Sequence, residues 1–282
     1  MRKFTSIMLT TLLVGAFLGL LMHVTPASAV TWDSTLHWDF EDHTDTHENL
    51  KKLSAAQISA IEQTVNAAFA SHGYAAPNHI AYPFGNYDPT VKQTVALYRK
   101  SGRTVSGTSE TYPVPDWYAL KCAELVKSTT FATLKGWVDA CISSKTLLSI
   151  FTHDVSARPS KWGCTPAVLT QLLDYLVQQQ NAGKLKVMPI AQAYDVWSTA
   201  TTNPGATVVI MFDDAYESDY TTVYPLFKAR GLIGTSYIVT GFIDTSGSLT
   251  WTEIAAMRAG SGLRPKQLKG KLAVRQWGLP AM

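Results

Sequence analysis

Cysteine and charge are both scarce in this sequence. Only 3 of its 282 residues are cysteine, and no two of them stand in CxxC or CxxxC spacing. A zinc site built from thiolates is therefore not expected. Charged residues make up 16% of the chain and the formal net charge is +3, which is too little to indicate a nucleic-acid partner. The 46% of hydrophobic residues excludes a disordered, collagen-like or coiled-coil chain.

Long apolar runs are absent except near the N-terminus. Arg2 and Lys3 precede an apolar run over residues 7–22, and the small residues Ala-Ser-Ala at 27–29 follow it. This order is typical of a secretory signal with its cleavage site. We expect residues 1–29 to be a signal peptide, the protein to be secreted or held at the cell surface, and no membrane span to remain after cleavage. An uncleaved membrane anchor is the alternative, because the run approaches the lower length limit for crossing a bilayer.

The net positive charge belongs to the two ends of the chain. Residues 263–282 contain five basic residues and no acidic one, whereas residues 30–262 are acidic overall. The alternating pattern of helices and strands also stops near residue 262. The sequence therefore predicts one domain over residues 30–262 and an atypical basic tail over residues 263–282. Export would permit a disulfide between Cys122 and Cys141, but spacing does not decide whether it forms.

Helical and strand patterns alternate through this predicted domain. A capping box at Ser54 is followed by apolar residues three and four apart, as far as Phe69, which predicts an amphipathic helix. Further helices are predicted from Pro89, from Phe131 and from Thr165, and strands at His79–Phe84, Thr146–Thr152, Leu185–Ile190, Ala206–Phe212 and Gly234–Val239. Such alternation predicts a parallel α/β architecture, either a barrel or an open sheet. In both designs active residues gather where the strands end.

Two pairs of polar residues stand out at these positions. His43 and His47, four residues apart, can present two imidazole nitrogens to one metal from a single helical turn, or they are exposed histidines in a polar loop. Asp213 and Asp214 end a very apolar strand. Adjacent carboxylates suit divided duties, one binding a metal and one taking a proton, although an Asp-rich turn that caps the next helix has the same pattern.

Two further strand ends carry candidate groups. In Tyr82-Pro83-Phe84-Gly85, proline and glycine fix a turn whose backbone N–H groups can face a ligand. His153 follows the strand that ends at Thr152. A histidine there suits a general acid, and a structural histidine is the equally common alternative.

Together these motifs resemble the polysaccharide deacetylase (NodB-like) homology domain over about residues 38–262. Members of that family carry Phe-Asp-Asp, His-Ser/Thr-x-x-His, an Arg-x-Pro-Tyr/Phe-Gly turn and a late Leu-x-His. The matching segments here are Phe212-Asp213-Asp214, His43-Thr-Asp-Thr-His47, Ala81-Tyr82-Pro83-Phe84-Gly85 and Phe151-Thr152-His153. The resemblance implies an α/β fold, a distorted parallel (β/α) barrel.

The order of the motifs is rotated relative to the family. Residues 38–197 match its later strands and helices, and residues 206–262 match its first strands. Circular permutation, a piece of a tandem array, and a frame-shifted end after residue 262 are three explanations. Permutation is physically accessible, because a barrel places its first and last strands side by side. We therefore expect Asp213 and Asp214 to meet His43 and His47 within one molecule.

The resemblance also implies chemistry. A secreted, metal-dependent enzyme would remove acetyl groups from an N- or O-acetylated polysaccharide or oligosaccharide. Asp214, His43 and His47 would bind a divalent metal, with zinc expected. Asp213 would be the general base, the Phe84 N–H would help to hold the oxyanion, and His153 would protonate the leaving group.

Two segments of the sequence need comment in relation to the family pattern. Ala81 replaces the arginine often found at the start of the family's turn, where it orients the base, and Asp116-Trp117 resembles the family's aromatic groove motif. Four aromatic residues are candidates for stacking on a sugar ring, although such residues are more often part of the core. They are Trp38, Trp117, Trp162 and Tyr216.

A non-catalytic glycan-binding or scaffold protein is the main alternative function. A glycosidase is less favoured, because adjacent carboxylates rarely straddle a sugar bond at ~5–9 Å.

Overall fold

The computed structural model describes residues 37–260. The predicted signal peptide (1–29) and basic tail (263–282) lie outside the described residues. Within the described part, no helix is both long and apolar enough to cross a membrane.

Within residues 37–260, nine strands form one sheet. They are β1 (Asp39–Asp42), β2 (His79–Ala81), β3 (Ser101–Arg103), β4 (Ser109–Glu110), β5 (Ala123–Glu124), β6 (Leu147–Thr152), β7 (Lys186–Val187), β8 (Thr207–Asp213) and β9 (Thr235–Ile238). The strand order is β3-β2-β1-β9-β8-β6-β4, with β5 also paired to β6 and β7 to β8. Only the pairing of β4 with β6 is antiparallel. The expected α/β fold is confirmed, as a parallel sheet that curls into a half-barrel surrounded by helices.

In the described part of the chain, seven α-helices connect and cover these strands. They are α1 (Ala55–Ser71), α2 (Pro89–Val95), α3 (Phe131–Ser144), α4 (Pro166–Asn181), α5 (Ile190–Thr199), α6 (Tyr224–Lys228) and α7 (Trp251–Arg258). The predicted capping box at Ser54 forms, and a second one begins α7 at Thr250. Thr165 caps α4, and Pro166 occupies its first turn. These side chains satisfy amide groups that have no partner inside the helix.

The central strands β6 and β8 are buried along their whole length. Their sequences are apolar without alternation because helices cover the outer face of the parallel sheet and side chains fill the inner one. The predicted strand over residues 185–190 is shorter than expected. Pro189, which has no N–H to donate, ends the strand region and stands at the N-cap of α5, so Ile190 is already helical.

The first and last strands of the described chain are neighbours. β1 pairs in parallel with β9, from Asp39 opposite Thr235 to Asp42 opposite Ile238. The ends of the described chain also approach each other, because a Cβ added at Gly260 would lie 3.6 Å from Nδ1 of His37. All three cysteines within the described residues are free and buried, so the disulfide that the sequence left open does not form here.

Candidate metal centre and active site

Five strands deliver polar groups to one edge of the half-barrel. His43 follows β1, Arg103 ends β3, Asp213 ends β8, and His153 follows β6. The turn that contains Phe84 follows β2. Because these strands are parallel, their carboxyl ends meet at the same edge, and residues far apart in sequence become neighbours.

A possible metal centre lies at this edge, formed by His43, His47 and Asp214. Their ligand atoms all lie within 4.8 Å of one another. Asp214 Oδ1 is 3.4 Å from His43 Nε2 and 3.7 Å from His47 Nε2. The structure therefore brings together residues from distant parts of the sequence that the motifs singled out.

This arrangement fits a divalent cation. Two ligands each about 2.1 Å from a tetrahedral ion would be separated by about 3.4 Å, close to the separations seen here. Asp214 Oδ1 is buried and has no hydrogen-bond partner. His43 Nδ1 lies 2.8 Å from the Ala81 carbonyl oxygen, so a proton on Nδ1 is donated there and Nε2 faces Asp214. Three protein ligands are the number found in catalytic zinc sites, which leave a position for water or substrate.

Electrostatics favour an ionised carboxylate at this centre. Burial raises the pKa of Asp214, but contact with His43 and the charge of the nearby histidines outweigh it and lower the pKa to about 2. Burial lowers the pKa of His47, and the neighbouring His43 lowers it further. At His43 burial acts in the same direction, yet the charges of Asp213 and Asp214 make the net shift of its pKa upward. Asp214 is therefore ionised at neutral pH, the state in which a carboxylate binds a metal.

Residues with left-handed backbone conformations orient the metal-ligand side chains. Thr44, His47, Asp214 and Ala215 all have positive φ, at 67°, 61°, 70° and 55°. Such values are rare for residues other than glycine and concentrate at functional sites. His43 and His47 lie in a loop, so the prediction that a helical turn would align them is wrong. Two left-handed residues fold the loop back instead, and the imidazole centroids lie 4.9 Å apart.

Asp213 lies behind this cluster and pairs with Arg103. Both are buried, and Arg103 Nη2 donates to Asp213 Oδ1. The guanidinium carbon lies 4.5 Å from the ring centroid of Phe151 and 4.8 Å from that of Tyr237. Burial lowers the pKa of Arg103, but the charge of Asp213 outweighs it and the net shift is upward. Two rings and a salt bridge thus fix a permanently charged group against Asp213.

From the sequence we expected the usual orienting partner of the base to be absent, and Arg103 takes its place. Ala81, where the family often has arginine, is the register partner of Arg103 on the adjacent strand. The guanidinium therefore comes from β3 at the same level of the sheet. A signal was present in the sequence, since an arginine inside a short strand needs an acidic partner. Only the strand pairing shows which acid that is.

His153 lies on the opposite side of the Asp214 carboxylate from His47. Its Nε2 is 3.9 Å from Asp214 Oδ2, and its Nδ1 is 3.3 Å from the Trp162 carbonyl oxygen. With 17% of its side chain exposed, His153 can reach both the centre and solvent.

Phe84 borders the centre on the His47 side. Its ring centroid is 4.5 Å from that of His47, the ring is 59% exposed, and its φ is 61°. The turn packs tightly, because a Cβ at Gly85 would meet Val105 Cγ2 at 2.4 Å. Glycine is therefore required at the fourth position of the motif.

The aromatic candidates separate into core and rim. Trp38 is buried against Phe212 and Phe227, so it is a core residue. Trp117 packs against Tyr194, whereas Trp162 is 47% exposed beside the site. Tyr216 is partly buried, just after the Asp213-Asp214 pair. Asp116 forms a salt bridge with Lys92.

Comparison with known proteins agrees with these motifs. Residues 31–101 match the family model described as polysaccharide deacetylase. This segment of the chain is therefore similar to the polysaccharide deacetylase family. The family resemblance inferred from the motifs is thereby confirmed. The matched segment contains His43, His47 and the Phe84 turn, while Asp213, Asp214 and His153 come from later in the chain.

Among solved structures, the chain is similar to several deacetylases. They include the Streptococcus pyogenes deacetylase PplD in complex with acetate, with 19% identity, 38% of this chain and 49% of that chain covered, and a TM-score of 0.32. IcaB from Ammonifex degensii has 24% identity, coverage of 40% and 48%, and a TM-score of 0.34. The de-N-acetylase from Aggregatibacter actinomycetemcomitans has 20% identity, coverage of 38% and 48%, and a TM-score of 0.30. The chain thus spans about half the length of these solved proteins. Among curated proteins the search found no match.

Proposed function

We propose that this protein is a secreted polysaccharide deacetylase that uses a divalent metal, with zinc expected, to remove acetyl groups from an N- or O-acetylated glycan. The observation that carries the proposal is the meeting of two groups of side chains at one edge of the sheet. His43, His47 and Asp214 form a three-ligand cluster. The Asp213–Arg103 pair lies directly behind it.

The two adjacent carboxylates have different surroundings and so suit different tasks. Asp214 presents an unpartnered oxygen to the two histidines, as a metal ligand would. Asp213 is held by a guanidinium instead, which limits its rotation. When bound, the metal would polarise the acetyl carbonyl and lower the pKa of water. Asp213 would then take the proton from the attacking water as general base.

Two other groups would complete the reaction. The Phe84 N–H, at a turn fixed by Pro83 and Gly85, would donate to the oxygen that becomes negative as water adds to the acetyl carbon. His153 would give a proton to the departing amine or alkoxide as its bond to the acetyl carbon breaks. Its position across the Asp214 carboxylate from His47 places the acid and the turn on opposite sides of the centre.

The test is acetate release by the purified protein. An acetylated chitooligosaccharide and an acetylated xylan are incubated with the protein, and acetate is measured enzymatically. Activity should disappear with a chelator and return with zinc. Binding of the glycan without acetate release, by a sample that contains one metal per chain, would favour the non-catalytic alternative. Release of reducing ends would favour the glycosidase.

Secretion is proposed from residues 1–29 alone. The positive start, apolar run and Ala-Ser-Ala sequence predict cleavage before Val30. N-terminal sequencing of protein recovered from culture medium should give Val30 as the first residue. Protein retained in membranes with its original N-terminus would favour the uncleaved anchor.

We also propose that the domain is circularly permuted. The pairing of β1 with β9 and the closeness of His37 to Gly260 support this origin. A chain in which Gly260 is joined to His37 by a short linker and opened between Thr201 and Thr202 would have the family's motif order. It should fold and bind zinc as the natural chain does. Failure to fold would oppose permutation, provided that a chain cut at the same bond without rearrangement still folds.

A further inference from the structure

A buried ionic cluster lies behind the loop that carries His43 and His47. It contains Asp42, the last residue of β1, Arg99, which precedes β3, and Glu62 of α1. Arg99 Nε is 2.8 Å from Asp42 Oδ2, and Arg99 Nη2 is 2.7 Å from Glu62 Oε2. The side chains of all three are fully inaccessible to solvent. This cluster is separate from the Asp213–Arg103 pair, which borders the site itself.

Asp42 joins this cluster to the histidine loop. While Oδ2 accepts from Arg99, Oδ1 accepts from the Thr44 N–H at 2.7 Å. Thr44 has a φ of 67°, which is unfavourable for a β-branched residue, so its backbone needs an outside contact to stay there. Thr44 Oγ1 in turn accepts from the Glu48 N–H at 3.1 Å. Thr44 is therefore bonded to Asp42 and to Glu48, and these two contacts hold the loop from His43 to Glu48.

Arg99 anchors Asp42 to the surrounding helices. Besides its contacts with the two acids, Nη1 donates to Asn66 Oδ1 at 2.7 Å and to the Pro77 carbonyl oxygen at 3.2 Å. The planar fork of arginine makes these contacts at once, which a lysine cannot do. Burial and the neighbouring Asp42 raise the pKa of Glu62 to about 10, although the charge of Arg99 opposes this shift. Asp42 is the acid that contacts both Arg99 and the histidine loop.

We propose that Arg99 and Asp42 are a positioning pair that holds the His43–Glu48 loop so that Nε2 of His43 and of His47 face Asp214. The inference rests on the proposed metal-dependent function and assigns it two residues that do not touch the metal. Residues that orient ligands in this way typically change metal affinity by 10–100-fold when they are substituted. The pair holds the loop where it leaves β1, so a substitution of either residue changes no metal-ligand atom.

The alternative is that the pair contributes only to folding. A buried ion pair is poor support for stability by itself, because apolar residues of similar volume often serve as well. A stability role and a positioning role therefore predict different measurements. Loss of stability alone lowers the melting temperature, whereas loss of positioning also weakens metal binding by protein that is still folded.

The experiment measures zinc affinity by competition with a chromophoric chelator, on the full chain and its variants. Arg99→Lys and Asp42→Asn should bind zinc 10–100-fold more weakly at a temperature where circular dichroism shows both to be folded. Cobalt substituted for zinc should give a visible absorption spectrum that differs from the wild-type spectrum in both variants. Arg99→Lys keeps the charge and the alkyl stem, so it remains informative if Asp42→Asn does not fold.

Two control variants distinguish a loss of ligand positioning from a loss of folding stability. Glu62→Gln keeps an oxygen for Arg99 and makes no contact with the loop, so zinc affinity should match the wild type within about threefold. Ile58→Val, in the apolar core of α1, should lower the melting temperature without changing zinc affinity. Unchanged affinity and an unchanged cobalt spectrum in Arg99→Lys and Asp42→Asn would overturn the positioning role. An equal loss of affinity in both controls would overturn it as well.

Different results would refute the proposed function and the positioning role. A wild-type chain that binds neither zinc nor cobalt would overturn the metal-dependent function, and the positioning role with it. A wild-type chain that binds zinc, with variants that bind it equally well, would overturn the positioning role alone.

Discussion

The two halves of the candidate site are built differently. In the ligand half, formed by His43, His47 and Asp214, the backbone of His47 and Asp214 is left-handed. The Asp214 oxygen that faces the histidines has no hydrogen-bond partner. The proton half, Asp213 with Arg103, ends regular strands and is paired and enclosed. Two adjacent carboxylates therefore suit separate tasks because their surroundings differ. The Asp214 oxygen has no hydrogen-bond partner and can accept a cation, whereas Asp213 is held in place by Arg103.

The largest effect expected is that of Asp214→Ala. It removes the only carboxylate from the ligand half, so tight zinc binding and all acetate release should be lost. Metal content by atomic emission, together with acetate release, checks this. Asp174→Ala, at a 61%-exposed aspartate that pairs with Arg230, should leave both unchanged. Wild-type zinc content in Asp214→Ala would refute the ligand assignment.

Asp213→Asn should break only the proton half. The amide cannot take a proton from water, so kcat should fall by ~10²–10⁴-fold while one zinc per chain remains. Steady-state kinetics and metal analysis of the same sample separate the two quantities. Loss of zinc in this variant would show that the two carboxylates share the ligand role.

Arg103→Met should lower both stability and turnover. Removing one partner of a buried pair costs about 3–5 kcal/mol, because the other charge is left uncompensated. Denaturant titration gives the loss of stability, and kinetics give the loss of kcat. Adding Ala81→Arg to the same chain should recover part of both, since residues 81 and 103 are register partners. No recovery in the folded double variant would oppose the idea that a guanidinium at this level is what Asp213 requires.

The metal-free protein should lose stability at acidic pH through Asp214. Its pKa falls from an ordinary 3.8 to about 2 in the folded state, so the unfolded chain takes up this proton first. The contribution, about 2 kcal/mol, is fully present above pH 4 and is lost as the pH falls towards 2. The free energy of unfolding, compared between wild type and Asp214→Asn over this range, measures it. Parallel curves for the two proteins would contradict the shift.

The smallest effect concerns strain outside the site. Lys145 ends α3 in a left-handed conformation, with a φ of 52°, and is exposed. Lys145→Gly should stabilise the protein by about 1 kcal/mol, because glycine adopts this conformation without a steric penalty. Zinc affinity and kcat should not change. A change in either would mean that this helix end is coupled to the site.

Much of the site was predictable from short motifs. The Phe-Asp-Asp strand end, the His43–His47 pair and the turn around Phe84 each combine a residue type with a local pattern. The Arg103 partner was not predictable in this way. Arg103 and Asp213 are 110 positions apart, and their contact depends on where β3 and β8 lie in the sheet. The left-handed residues at 44, 47, 214 and 215 were also missed, because only one of the four positions holds an aspartate and none holds glycine.

The alternation of helices and strands, the helix caps and the metal-ligand candidates could all be recognised from short stretches of sequence. Those features depend on periodicity and on side chains only a few residues away. The tertiary structure decided which strand ends meet. It placed β9 between β1 and β8, so that Asp214, which follows β8, faces His43 and His47, which follow β1. It also supplied Arg103 to Asp213 from a neighbouring strand. Such contacts are fixed by strand order, which no local pattern encodes.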